Sequence, residues 1–439
     1  MNKKYYRVLL VLSSALFLII QPVQAQKRLR QTIDKMADEI EAKVIKWRHH
    51  IHQNPELSNR EFKTAEMVAD HLRSLGMEVK TKIAHTGVVG ILKGGKPGPV
   101  VGLRADMDAL PVTERVKLPF ASKVKAKYNG KETGVMHACG HDTHVAILMG
   151  VAEVLTKIKK DLRGTVKFVF QPAEEGAPPG ENGGARMMVA EGVLENPKVD
   201  VMFGLHINSG TEVGTIRYRP RGIMAAADRF VIKVKGKQTH GSTPWTGVDP
   251  ITVSAQINGG LQTIISRQTQ LTKEAAVISV GMIRGGIRNN IIPEECEMIG
   301  TIRTLDAKMQ DIIHKKIKLT ATKIAESAGA KAEVNIEKHT PVTYNDPKLT
   351  AMVLPTLQRV AGKGKVQLVP AITGAEDFAF YALHVPSFFF FLGGMTPGQS
   401  PLTAAPHHTP DFRVNDKGMK LGVRMLSNLT VDYMMKKKK

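Results

Sequence analysis

The chain has 439 residues, 42% of them hydrophobic and 23% charged, the balance of a globular protein long enough to bury the cores of two domains. A formal net charge of +22 would suit nucleic acid, but the basic residues are scattered, aromatics make up only 5%, and no recognition motif accompanies them. A count of 2 cysteines excludes a small disulfide-stapled fold.

At the N-terminus Lys3, Lys4 and Arg7 precede an apolar run from Val8 to Ile20, which Gln21-Pro22 ends, and Val23-Gln24-Ala25 carries small residues at cleavage-site spacing. This pattern predicts an export signal cut after Ala25, with delivery to the periplasm or the medium and no membrane anchor left behind. The only charged residues of that segment are the three cations, so +22 less these three leaves the mature chain at +19.

Helical spacing of apolar residues runs from Leu29 to His50 and breaks at Asn54-Pro55. A second helix is predicted from about Glu61 to Leu75, stopped by Gly76. Strands over Val88–Leu92 and Val100–Leu103 flank Gly94-Gly95-Lys96-Pro97-Gly98. Gly90 to Lys96 has the frame of a phosphate-binding loop, but Pro97 stands where Ser or Thr is required, so a hairpin loop is expected.

The second of these strands runs into Asp106 and Asp108, alternate residues of an extended chain whose side chains point the same way. Next comes His137-Ala138-Cys139-Gly140-His141-Asp142-Thr143-His144, then a helix from about Thr143 to Ile158 with one apolar face and Asp142 at the capping position. The octet therefore sits at a strand-to-helix junction, where α/β folds place their sites. Strand Val166–Phe170 ends in Gln171-Pro172-Ala173-Glu174-Glu175-Gly176. Adjacent glutamates on an extended segment face opposite sides, so one can hold a metal while its neighbour addresses a substrate water. Strand Val201–Leu205 delivers His206 at its end, and Pro406-His407-His408-Thr409-Pro410 sets two histidines in a proline-framed loop.

Cys139, His141, Glu175, His206 and one of His407 or His408 offer thiolate, imidazole and carboxylate donors. Five donors are too many for one tetrahedral zinc ion and enough for two divalent ions that share a ligand, and a thiolate can be that ligand. The set predicts a dinuclear hydrolase, compatible with manganese, zinc, nickel or cobalt. It also gives Cys139 a role other than pairing with Cys296.

In order, "RADMDALP", "HACGHDTH", "FQPAEEG", "GLHI", "HGSTPWTGVDPI", "NNIIPEE", "GTIRT", "GAEDFAF" and "HHTPDF" resemble the dinuclear-metal amidohydrolases that include hippurate hydrolases, N-acyl-amino-acid amidohydrolases and auxin-conjugate hydrolases. The resemblance implies that Cys139, His141, Glu175, His206 and His408 hold two divalent ions and that Glu174 is the general base. His408 is preferred to His407 because the family's ligand lies two places before the proline. Asp106 and Asp108 take orienting roles, and Glu376 lies in a loop near the site. It implies an α/β catalytic domain with a mixed central sheet (26–215 and 335–439), interrupted by a smaller α+β, ferredoxin-like dimerisation domain (216–334). On that satellite His240 would reach toward a dimer partner's metals to stabilise an oxyanion. Asn290 and Arg303, thirteen positions apart, would bind a substrate carboxylate. The implied activity is hydrolysis of N-acyl-amino acids, or of short peptides by a carboxypeptidase or dipeptidase of the same design. No role is read for His137 or His144.

Overall fold

A computed structural model describes residues 26–436. The expected export signal, 1–25, lies outside the described residues. The chain divides into two compact units, one running to Tyr218 and resuming at Lys348–Gln367 and from Phe390, the other comprising Arg219–Pro347 with Leu368–Phe389.

The larger unit is built on an eight-stranded sheet. Its spatial order is Glu78–Ile83, Gly87–Lys93, Arg163–Gln171, Lys96–Asp106, Val201–Glu212, Ser387–Met395, Ile216–Tyr218 and Val366–Leu368. Lys96–Asp106 runs parallel to both of its neighbours, while the pairs toward Glu78 are antiparallel, so the sheet is mixed. The central strands are buried almost end to end, as in a sheet covered on both faces.

The segment at Gly94-Gly95 is not a hairpin loop. The strands on either side of it are separated in the sheet by Arg163–Gln171. Its backbone bonds instead to the chain entering that inserted strand, with Gly94 N–H to Gly164 at 2.8 Å and Gly95 N–H to Lys159 at 2.8 Å.

Helices Glu41–Gln53, Phe62–Ser74 and His141–Lys157 follow the predicted periodicity, with Gly76 at φ +73° closing the second. The third is buried all round from His141 to Leu155 rather than on one face. The sheet lies on one side of it, and Glu41–Gln53 and the C-terminal helix Met419–Lys436 on the other. Gly150 admits those two helices, since a Cβ there would stand 2.8 Å from Val44 and 3.1 Å from Val423.

The smaller unit carries Ala226–Lys235, Pro250–Gln268, Ala276–Gly285, Glu295–Thr304, Ala307–Ser327 and Lys331–Thr340, a β-α-β-β-α-β succession. Its antiparallel sheet has the spatial order Ala276–Gly285, Glu295–Thr304, Ala226–Lys235, Lys331–Thr340, which is the ferredoxin-like arrangement. Asp249 and Asp306 cap the two helices, and Phe230, Ile232, Ile257, Met298 and Ile317 are core residues of this unit. The unit extends to Pro347 rather than 334, because Lys331–Thr340 is the fourth strand of its own sheet. Among the described residues no helix is long and apolar enough to cross a membrane.

Candidate metal centre

The octet is shaped by Gly140. Its φ is +96°, and a Cβ there would meet Ile207 at 2.4 Å, so only glycine lets the chain turn into the helix at this point. Gly140, not Asp142, is the N-cap. Asp142 lies in the first turn and is buried, and its carboxylate accepts from Arg48 Nε at 2.7 Å and bonds His52 Nδ1 at 2.8 Å. Those partners hold Asp142 far below the carboxylate range despite its burial, and Asp142 in turn holds His52 above the usual histidine value.

Cys139 is the centre of a dense donor cluster. Its Sγ lies 3.3 Å from His206 Nε2 and 3.3 Å from His408 Nε2. His408 Nε2 is 2.9 Å from Glu175 Oε1, yet that buried oxygen has no hydrogen bond of acceptable direction. His141 Nε2 is also buried without a partner, 3.8 Å from Glu174 Oε2 and 3.9 Å from Glu175 Oε1. Ligand atoms crowded this closely, two of them buried without a hydrogen bond, are what a shared cation would organise. The groups Cys139–His206–His407, Cys139–Glu175–His408 and His141–Glu174–Glu175 each bring their ligand atoms within 4.8 Å of one another, with Cys139 and Glu175 belonging to two groups apiece.

Electrostatics favour the same occupant. Burial opposes charge on His141, but Asp106, Asp108 and Glu175 pull it up to about 10. Burial and the surrounding carboxylates push the Cys139 thiol well above its ordinary value. A cation would replace the proton on His141 and ionise the sulfur. Sulfur, imidazole and carboxylate together fit a borderline-soft divalent ion.

The remaining polar residues orient the cluster. Asp108 lies beside His141 Nδ1, at 3.2 Å through Oδ1, and its main-chain oxygen lies 2.9 Å from the same nitrogen. The carboxylate also accepts the N–H of Glu174 at 3.1 Å, the N–H of Glu175 at 3.0 Å and the Ser58 hydroxyl at 2.8 Å. Asp106 is held by Arg104 at 2.6 Å and His144 Nδ1 at 2.5 Å. His144 Nε2 accepts the Ile207 N–H at 2.8 Å, so both of its nitrogens are committed within the protein. His407 behaves alike, with Nε2 accepting the Ser209 N–H at 3.2 Å and Nδ1 on the Cys139 carbonyl at 3.2 Å. His408 instead stands at φ +62°, an unusual conformation for a non-glycine residue that turns its ring toward Cys139 and Glu175. His137 is fully buried with neither nitrogen hydrogen-bonded, and burial takes it down to about 3. The sequence marks it no further.

Two local expectations fail. Glu174 and Glu175 lie in a turn rather than on an extended segment, because the strand ends at Gln171 and Asp108 gathers both of their N–H groups. His206 is inside its strand, which continues to Glu212. Cys139 and Cys296 are both free thiols. Residues that the sequence did not single out are Ser58, Arg48, His52 and Glu61. Their only signal is an unusual concentration of polar residues between Arg48 and Glu61.

On the smaller unit, Thr239–His240 pairs with Ile291–Ile292, and Gly241 N–H bonds the Asn290 carbonyl at 2.8 Å, which brings His240 and Asn290 together. His240 is exposed, with Nδ1 held by Ser242, and Asn290 Oδ1 is buried without a partner. Arg303 is half-buried on Glu295–Thr304, and its guanidinium pairs with no acid among the described residues. Glu376 is buried and accepts the N–H of Phe378 at 2.8 Å.

A buried thiol, imidazole and carboxylate cluster beside a glutamate turn, at the ends of parallel strands, is the equipment of a metal-dependent hydrolase. Residues 102–432 match Peptidase family M20/M25/M40, and the chain belongs to that family, whose members hydrolyse amide bonds. It is 41% identical over 397 residues to thermostable carboxypeptidase 2 of Saccharolobus solfataricus, covering 90% of this chain and 96% of that one. It is 36% identical over 356 residues to an N-acetyl-L-cysteine deacetylase of Bacillus subtilis, covering 81% of each. The crystal structure of the Bacillus subtilis YXEP protein, a dinuclear metal-binding peptidase of the M20 family, superposes with a TM-score of 0.75 at 33% identity, over 91% of this chain and 99% of that one.

Proposed function

We propose that the chain is an amidohydrolase of N-acyl-amino acids, of the acetyl-amino-acid or hippurate type. Cys139, His141, Glu175, His206 and His408 hold two divalent ions, and Glu174 is the general base. The observation that carries this reading is that the Cys139–His408 pair and the buried His141 Nε2, which makes no hydrogen bond, both gather on Glu175, with Glu174 beside it. Bound ions supply Lewis acidity, making a water acidic and drawing density from the substrate carbonyl. Glu174 takes the proton of the attacking water and returns it to the amine nitrogen as the C–N bond breaks, acting first as base and then as acid. Arg303 and Asn290 receive the substrate carboxylate, for which the unpaired guanidinium fork is suited.

A pocket of about 180 Å³ beside Glu175, in which Leu57, Leu110 and Pro111 alternate with Arg60, Lys127 and Asn129, supports room for a small substrate group. The deacetylase relative supports the same substrate class. The similarity to a carboxypeptidase favours short peptides as a second reading.

The protein acts as a homodimer in which His240 serves the partner's site. The exposed Trp245 and Ile287, at 78% and 94%, support an association surface on the smaller unit. The N-terminal apolar segment supports export, which a mature N-terminus at Gln26 would verify.

The test is metal analysis of the purified protein together with turnover of hippurate, acetyl-amino acids and dipeptides. No bound metal and no hydrolysis after metal supplementation would overturn the reading. Glu174→Gln should abolish turnover with metal content intact.

A further inference from the structure

Glu61 is the N-cap residue of Phe62–Ser74, but its side chain does not cap that helix. Glu56 does the capping instead, accepting the N–H groups of Lys63 at 3.1 Å and Thr64 at 2.9 Å. The Glu61 carboxyl is wholly buried and turned the other way. Oε1 accepts the N–H of Ala173 at 2.9 Å and that of Asn59 at 3.1 Å, and Oε2 meets the Thr86 hydroxyl at 2.5 Å.

Ala173 is the residue before Glu174, and it is held at φ +51°. That left-handed conformation is strained for an alanine and persists only where neighbours impose it. Glu61 grips the N–H of Ala173, and Asp108 grips the next two, those of Glu174 and Glu175. Three consecutive N–H groups of the turn are thus fixed by two buried acids. A buried acid withheld from its own helix and spent on a strained residue one bond upstream of the base has a purpose beyond folding the helix.

We propose that Glu61 is a positioning residue for the hydrolytic reaction: it fixes the strained backbone at Ala173 and thereby aims the Glu174 carboxylate. This rests on the reading of Glu174 as general base. The grip works through shape and hydrogen bonding. An amide at position 61 preserves it, with the carbonyl oxygen accepting both N–H groups and the amide nitrogen donating to a rotated Thr86 hydroxyl. A leucine at position 61 removes every acceptor.

The experiment compares Glu61→Gln, Glu61→Leu and Thr86→Val in the full-length, metal-loaded protein, with metal content and circular dichroism as controls. Glu61→Leu should lower kcat by about 10- to 100-fold, the scale of a misplaced catalytic group, with KM and bound metal unchanged. Glu61→Gln should restore most of that loss, and Thr86→Val should give a smaller loss of the same kind. A folded, metal-loaded Glu61→Leu protein with wild-type kcat overturns the proposal, as does a glutamine variant as slow as the leucine one. Should the leucine variant fail to fold, an unchanged kcat in Thr86→Val is equally fatal. Glu174→Gln, assayed in parallel, separates the two readings. If it stays active, the assignment of the base falls; if it is inactive while Glu61→Leu is fast, only the positioning role falls.

Discussion

Asp108 Oδ1 lies 3.2 Å from Nδ1 of His141, on the side of the ring away from the buried, unpartnered Nε2. The same oxygen accepts the N–H of Glu174, and its twin accepts that of Glu175. One carboxylate therefore fixes the orientation of that ring and of the turn that carries two more acids. Asp108→Asn turns one acceptor oxygen into a donor and sets it against donors on whichever side it points. Metal affinity should fall about 10- to 100-fold, the usual cost of losing a group that orients a ligand. Equilibrium dialysis against a buffered metal series measures it, and an unaltered affinity would refute the orienting role.

Cys139→Ser tests the sulfur that His206 and His408 both approach. A serine hydroxyl in this acidic surrounding ionises far less readily than a thiol, so the shared ligand is lost. Bound metal should drop from two ions per chain to one or none, and activity by at least about 100-fold. Two ions retained at wild-type affinity would remove Cys139 from the ligand set.

Much of this centre was legible because its donors are chemically conspicuous: a cysteine and three histidines within His137–His144, paired acids after a strand, and paired histidines between prolines. The mixed sheet and the ferredoxin-like unit were likewise legible from strand and helix periodicities once the family resemblance supplied their order. What stayed hidden depends on tertiary placement. Nothing local in Gly94-Gly95 tells that Arg163–Gln171 inserts between its flanking strands, or that Asp108 bends Glu174 and Glu175 into a turn. Glu61 read as the start of a helix, which it is; that its carboxyl reaches residue 173 is information held in the fold.

His407 and His408 both approach the Cys139 sulfur but differ in what else holds them, and they should separate in experiment. Nε2 of His407 accepts the Ser209 N–H, and its Nδ1 lies 3.2 Å from the Cys139 carbonyl and 3.7 Å from the Cys139 sulfur. His408 Nε2 faces the Cys139 sulfur and the Glu175 carboxylate. His408→Ala should cost bound metal outright. His407→Gln, which can keep one acceptor and one donor near the same partners, should retain both ions and lose no more than about 10-fold in activity. Equal metal loss in the two variants would mean that His407 also ligates.

The last prediction concerns pH and stability. Burial, reinforced by Asp108, pushes Glu61 up to about 8. An unfolded glutamate titrates near ~4.3. Between those values the folded chain keeps a proton that the unfolded chain has released, so rising pH favours unfolding. The contribution of Glu61 is therefore greatest below pH ~4, declines as pH rises, and levels off above about 8, where the buried carboxyl has ionised too. Glu61→Gln releases no proton at any pH and lacks this decline. Relative to wild type, the variant should gain thermal stability as pH rises from ~5.5 to ~8.5, a window spanning most of that titration. Tm values of both proteins, stripped of metal by chelation, at the two pH values provide the measurement. A difference in Tm that is the same at both would show that Glu61 is already ionised at the lower pH, its carboxylate stabilised by the N–H groups of Ala173 and Asn59 and the Thr86 hydroxyl.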